Sequence, residues 1–99
     1  MNTAASNDPR ILDVRVTADE IIAHLADGRI ISVPLAWSWR LSEATRKQRA
    51  HFRLIGSGQG VHWPDVDEDI SVENLLNGSR SGESARSFKQ WLMSREPAT

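Results

Sequence analysis

Between Gly56 and Ser71 the chain reads Gly-Ser-Gly-Gln-Gly-Val-His-Trp-Pro-Asp-Val-Asp-Glu-Asp-Ile-Ser. Three glycines at alternate positions weaken any regular element, because each loses more backbone freedom on ordering than another residue would. Gly56, Gly58 and Gly60 therefore call for a turn. Phe52-Arg53-Leu54-Ile55 before it and Val61-His62-Trp63 after it are short and rich in β-branched and aromatic residues, as strands are. A short hairpin closed by the glycines is predicted. Pro64 stops its second strand, since proline has no N–H for a ladder. The acids Asp65, Asp67, Glu68 and Asp69 then lead towards Ser71, a natural N-cap. Some of them are expected to precede a helix and favour its positive end. That helix runs through Val72, Leu75 and Leu76, and Asn77-Gly78 supplies a left-handed C-cap.

Upstream, three segments read as strands of an antiparallel meander: Ile11–Val16, Ile21–Ala26 and Arg29–Val33. Leu12, Val14 and Val16 share one face by phase, with Ile11 breaking the alternation. Thr17–Glu20 is a turn. Asp27-Gly28 is the strongest short hairpin signal in the chain and predicts a type I′ turn. Pro34 ends the sheet. Ser42 is read as the N-cap of a helix from about Glu43 to about His51, poorly amphipathic and suited to a sheet edge. After a Ser/Gly-rich linker at 79–84, Ala85, Phe88, Trp91 and Leu92 recur at helical spacing. This organisation is α+β. Residues 1–9 are expected to form a flexible tail, 10–78 a single domain, and 79–99 a linker with a C-terminal amphipathic helix. That helix either folds back or lies in a partner's groove.

Composition removes several function classes. The absence of cysteine rules out disulfides, thiolate zinc sites and cysteine nucleophiles. A net charge of -1 argues against a dedicated nucleic-acid binder. No apolar run approaches the length of a membrane span, and the polar N-terminus shows no signal peptide. A cytoplasmic location without membrane contact is the expectation.

The candidate chemistry is sparse. The acidic run lacks the loop glycine of a calcium-binding loop, so no metal is expected. His62 neighbours the acids, but no nucleophile motif accompanies it, and His24 and His51 lie on other elements. The glycines lead into a strand rather than a helix, unlike a phosphate loop. No catalytic residue and no cofactor are expected. Charge is nonetheless segregated. Arg40, Arg46, Lys47, Arg49 and Arg53 face only Glu43 across residues 40–53, while residues 65–73 hold acids and no base. If the two segments are neighbours in space they neutralise each other; otherwise they form a dipole able to steer a partner. Trp37 and Trp39 flank Ser38, and an exposed tryptophan beside an arginine is a typical contact hot spot.

Several of these residues together resemble the bacterial family called domain of unknown function 2442. They are the Asp27-Gly28 hairpin, Val33-Pro34-Leu35 with its aromatics, and Arg40-Leu41-Ser42-Glu43-Ala44-Thr45. With them go Gly-Val-His-Trp-Pro at 60–64, Asp67-Glu68-Asp69-Ile70-Ser71-Val72, and Leu75-Leu76-Asn77-Gly78. The resemblance spans roughly Ile11 to Gly78. It implies a small α+β domain, mostly cytoplasmic, some of whose members look like antitoxin-type partners of a small toxin. Other members carry a helix-turn-helix. It brings no catalytic residues.

The leading expectation is a non-enzymatic protein-interaction module, antitoxin-like, with a protein partner. A homodimer is compatible with it. The contact residues would be Trp37, Trp39, Asp65, Asp67, Glu68, Asp69, Phe88, Trp91 and Leu92. The alternative is a nucleic-acid-binding transcriptional regulator using Arg46, Arg49 and Arg53. A metal-dependent enzyme built on His62 and the acids is the remotest reading.

Overall fold

A computed structural model describes residues 8–78 and 83–95. Residues 1–7 of the predicted tail and 79–82 of the predicted linker lie outside the described residues.

The predicted meander forms. Strands β1 (Ile11–Val16), β2 (Glu20–Leu25) and β3 (Ile30–Pro34) make an antiparallel sheet in that order. Its details differ from expectation at two places. Ile11 pairs with Leu25 and Asp13 with His24, so Leu12 is the extra residue of a β-bulge. The bulge resets the alternation. Ile11 and Val14 are buried, whereas Leu12 is 57% exposed and does not share the inner face. At the β2–β3 turn, only Gly28 has positive φ, and Asp27 does not. Gly28 N–H donates to Leu25 O, and Leu25 N–H to Arg29 O. This is a type I turn followed by a glycine bulge rather than type I′. The Asp27 carboxylate selects it by accepting from both the backbone N–H and the Nε of Arg29.

The helix predicted over 43–51 is two helices. α1 (Trp39–Ser42) is capped by Ser38, whose Oγ accepts from Leu41 N–H. α2 (Arg46–Ala50) is capped by Thr45 in a reciprocal capping box with Gln48. Ser42 thus ends a helix instead of starting one. The break lets Leu41 and Ala44 both reach the core, which a single helix with so little apolar surface could not anchor.

The glycine hairpin forms as predicted, from β4 (Arg53–Ile55) and β5 (Gly60–Trp63). The acidic segment does not lead into a helix. The turn Pro64–Asp67, with Asp67 at φ 53°, returns the chain as a third strand, β6 (Glu68–Ser71), paired with β5 from Gly60↔Ser71 to Trp63↔Glu68. Pairing with β5 also seats Val66 in the core. Ser71 then caps α3 (Val72–Asn77) through Asn74 N–H, and Gly78 closes it at φ 70°, both as expected. The last helix, α4 (Ala85–Arg95), also forms. Among the described residues no helix is long and apolar enough to cross a membrane.

One buried cluster draws on both sheets. Ile11, Ile21 and Leu25 come from the first, Val61 and Trp63 from the second, and Leu41 and Val66 from the connections. Trp63 is fully buried, and its Nε1–H donates to Arg49 O at 3.0 Å. This satisfies the one polar atom of a ring that contributes much apolar area.

The glycine turn also couples the sheets. Ile11 N–H donates to Gly58 O at 2.7 Å. Gly58 has φ 108°, and a Cβ there would stand 2.5 Å from Ile11 O. Gly28, by contrast, has positive φ but nothing within 4 Å of such a Cβ. Gly58→Ala is therefore expected to lower unfolding free energy by at least about 2 kcal/mol and Gly28→Ala by only about 1 kcal/mol. Urea denaturation of the two variants checks the order.

Candidate functional site

The surface around α1, β6 and α4 gathers most of the predicted contact residues. Ser38 sits between Trp37 and Trp39 and is buried. Its hydroxyl donates to Glu68 Oε2 at 2.6 Å while accepting from Leu41 N–H. Glu68 Oε1 accepts from Asp69 N–H. Both oxygens of this largely buried carboxylate are therefore engaged. Burial pushes the Glu68 carboxyl above its ordinary range. The Ser38 hydroxyl, the Asp69 amide and the nearby Arg40 charge oppose that shift, and the neighbouring Glu83 adds to it.

Two residues beyond Ser38, Arg40 holds α4 in place. Its Nε and Nη2 donate to the Glu83 carboxylate at 2.7 to 3.1 Å, a two-pronged pairing. Its Nη1 donates to Asp67 O at 2.9 Å. Arg40 holds the Glu83 carboxyl below its usual range, and the Ser87 hydroxyl assists. The Arg40 guanidinium also lies over the Trp91 ring at 5.1 Å, and Arg95 lies over the same ring at 4.6 Å. Phe88 stacks on Trp91 at 5.7 Å and meets Trp39 edge-on at 5.3 Å. Arg95 reaches back to donate to Asp65 O at 2.7 Å. The C-terminal helix thus folds onto its own domain.

The acidic segment meets the molecule's own cations and donors. Asp67 lies by Arg40, Asp65 pairs with His51 at 2.8 Å, and Asp69 pairs with His62. Arg40, Asp67, Glu68, Asp69 and Glu83 together line a depression of about 250 Å³. Among the described residues no group of histidine or acidic side chains is placed to hold a metal ion. The two charge-segregated segments are neighbours.

Trp39, Phe88 and Trp91 come together. Leu92 is half-buried on the same helix, and Trp37 is half-buried against the core. Arg46, Arg49 and Arg53 do not form one stripe. Arg49 turns inward and donates to Leu41 O and Ser42 O. Arg46 and Arg53 are exposed on different elements. Sequence reasoning missed Ser38, Glu83 and Arg95. Two of them carried a readable signal: Glu83 stands four residues before Ser87, and Arg95 four residues after Trp91, the spacing of one helical face.

A family model described as a protein of unknown function (DUF2442) matches residues 11–81, and the chain belongs to that family. Two solved structures are similar. A protein of unknown function from Rhodospirillum rubrum is 28% identical with a TM-score of 0.67, over 82% of this chain and 99% of that one. An uncharacterized protein from Chromobacterium violaceum is 25% identical with a TM-score of 0.62, over 91% of this chain and 79% of that one. No protein with a curated description matches.

The two shifted carboxyls give opposite pH signatures. The folded chain holds the Glu68 proton more tightly than the unfolded chain does. Its contribution to stability is therefore full below the ordinary glutamate range and is lost as pH rises through the raised value. Glu83 behaves inversely, losing its contribution as pH falls through its lowered value. In urea titrations from about pH 4 to about pH 7, Glu68→Gln should gain on the wild type as pH rises. Glu83→Gln should fall further behind it over the same range.

Proposed function

We propose that this DUF2442 member is a non-enzymatic protein-interaction module of the bacterial cytoplasm, acting as the antitoxin-like partner of a small protein. The carrying observation is the state of α4. None of its residues is buried. It is held by the Arg40–Glu83 ion pair, the Arg95–Asp65 hydrogen bond and a set of stacked rings, and the apolar surface there remains partly open: Trp39 of α1 beneath it is 39% exposed and its own Met93 62%. Partly exposed tryptophans flanked by arginines are the residue types that dominate binding energy at protein interfaces. A helix so lightly docked keeps apolar surface available for a partner.

Against catalysis stands the commitment of the acidic groups. Glu68 is hydrogen-bonded to Ser38, Asp67 and Glu83 face Arg40, and Asp65 and Asp69 face histidines. Against the nucleic-acid reading stand Arg49, whose donors engage backbone carbonyls, and Arg53, which is exposed on β4 and not on α2 with Arg46.

The test uses the protein encoded by the neighbouring gene, titrated calorimetrically into the full chain. Met93→Glu alters only exposed surface. It is expected to weaken binding at least about tenfold, or about 1.4 kcal/mol, while leaving the denaturation midpoint in place. Unchanged affinity removes α4 from the contact, and no heat with the wild type removes the antitoxin-like reading.

A further inference from the structure

In the first sheet β2 is paired on both sides, whereas β3 is an edge, since the order is β1-β2-β3. Which of its backbone groups point outward follows from both ends of the strand. At one end Leu25 N–H donates to Arg29 O, and at the other Leu35 N–H donates to Asp19 O. Leu25↔Arg29 and Asp19↔Leu35 are therefore hydrogen-bonded pairs. Bonded and non-bonded pairs alternate in an antiparallel ladder. Counting inward from either end gives the same phase: Ile21↔Val33 and Ala23↔Ile31 are bonded, Ile22↔Ser32 and His24↔Ile30 non-bonded. The N–H and C=O groups of Ile30 and Ser32 thus face away from β2. Among the described residues no other hydrogen bond engages them.

The edge is open where those groups lie. Ile30 is 61% exposed, and Ser32 is exposed too. Helix α3 packs near β3, but its buried Val72 and Leu75 join Val33 in the core. Cover fades along the strand from buried Val33 to half-buried Ile31. The remaining edges are closed or charged. α2 packs along β1. β6 carries Glu68 and Asp69 and is bonded to Ser38. β4 is three residues long, with Arg53 exposed on it. β3 reads Ile-Ile-Ser-Val-Pro and carries no charge. Native proteins protect an edge strand with charges, proline, bulges or a covering element. Here Pro34 protects the end of the strand and leaves Ile30–Ser32 unprotected.

We propose that the β3 edge pairs with β3 of a second copy of this chain, antiparallel about a twofold axis at Ile31, so that two three-stranded sheets become one continuous sheet. In that register Ile30 of each copy lies opposite Ser32 of the other. Each such pair exchanges both main-chain bonds, so every outward N–H and C=O of the two residues is used. The two Ile31 side chains meet as a non-bonded pair with Cβ atoms about 5 Å apart. Three observations select this occupant. The outward groups are spaced symmetrically about Ile31, so the edge is complementary to itself, as a closed twofold interface requires. The strand is uncharged, so two copies meet no repulsion across the ladder and no charge favours a foreign strand. The nearest charge in sequence, Arg29, is paired with Asp27, and the two Arg29 would stand about 14 Å apart, beyond the screening length of about 8 Å. Finally, Pro34 falls opposite Gly28 of the other copy. Pro34 has no N–H to orphan, the Gly28 N–H is taken by Leu25 O, and nothing lies within 4 Å of where a Cβ on Gly28 would stand. The ladder therefore ends there without a clash. So short an interface makes a reversible dimer.

The experiment combines sedimentation equilibrium of the full chain across a concentration series with amide hydrogen exchange of the ¹⁵N-labelled chain read by NMR. The expected result is a monomer–dimer equilibrium in which the Ile30 and Ser32 amides become protected as concentration rises. The Ile31 and Val33 amides, bonded to β2, should be protected at every concentration. Ser32→Pro removes an outward N–H without touching a bond to β2, a substitution an edge strand tolerates. Ile30→Lys places a charge on an exposed side chain. Each should weaken dimerisation at least about tenfold while leaving the Ile31 and Val33 protection of the monomer in place. A monomer at every concentration overturns the proposal. So does a dimer in which the Ile30 and Ser32 amides stay unprotected, which places the contact elsewhere, or one that neither variant weakens. Protection of those two amides independent of concentration also overturns it, since the edge is then covered within the chain. The measurement uses this chain alone, so its failure leaves the α4 contact standing, and loss of the α4 contact leaves this one.

Discussion

The hydroxyl of Ser38 joins the two halves of the molecule. It accepts from Leu41 N–H and so starts α1 one short 3-10 turn, Leu35–Trp37, after the first sheet. It also donates to Glu68 on β6 of the second sheet. A buried carboxylate is tolerable only when its oxygens are bonded, and Ser38 with the Asp69 amide meets that condition for Glu68. The same geometry determines where Arg40 emerges, two residues on. The position of α4 follows from Arg40, through Glu83 and the Trp91 ring. Packing around this junction is apolar and complete, with Leu41, Trp63 and Val66 all essentially inaccessible to water.

Stability is therefore unequal across the chain. The core and the Ser38–Glu68 pair lie where water is excluded and polar contacts are strongest. The α4 contacts lie at the surface. There an ion pair contributes little on its own, although the forked Arg40–Glu83 geometry and the stacked rings reinforce one another. A helix without a buried residue belongs to the low-stability end of a fold, the part from which binding elements are drawn. The acidic segment serves mainly this chain: its carboxylates and carbonyls orient Arg40, Arg95, His51 and His62.

Local chemistry was legible where a single residue dictates its own conformation. The glycine turn, the Ser71 cap, the Gly78 stop, the meander and the C-terminal helical stripe all read directly, because φ, capping and periodicity are local properties. Three features did not. The bulge at Leu12 depends on which of two adjacent apolar residues the opposite strand selects, and Ile11 is selected by its bond to Gly58, more than forty positions away. The strand at Glu68–Ser71 carries charges that disfavour a strand in isolation. It forms because Trp63 and Val61 present it with an edge. The choice of Ser38 and Thr45 over Ser42 as caps was within reach in one case, since Thr45-x-x-Gln48 has capping-box spacing. In the other it was settled by Glu68, thirty residues downstream. Of the candidate contact residues, the sequence indicated the aromatic trio and Arg40. It could not indicate that Glu83 would secure them.

The central claim is that Ser38 and Glu68 act as one unit across the sheet junction. A double-mutant cycle with Ser38→Ala, Glu68→Leu and the pair, read by urea denaturation at neutral pH, tests it most directly. The account expects a coupling energy of at least about 1 kcal/mol, because either single change strands a buried partner. Additivity within about 0.3 kcal/mol would contradict it, and the two sheets would then be joined by apolar packing and the Ile11–Gly58 backbone bond without the Ser38–Glu68 pair.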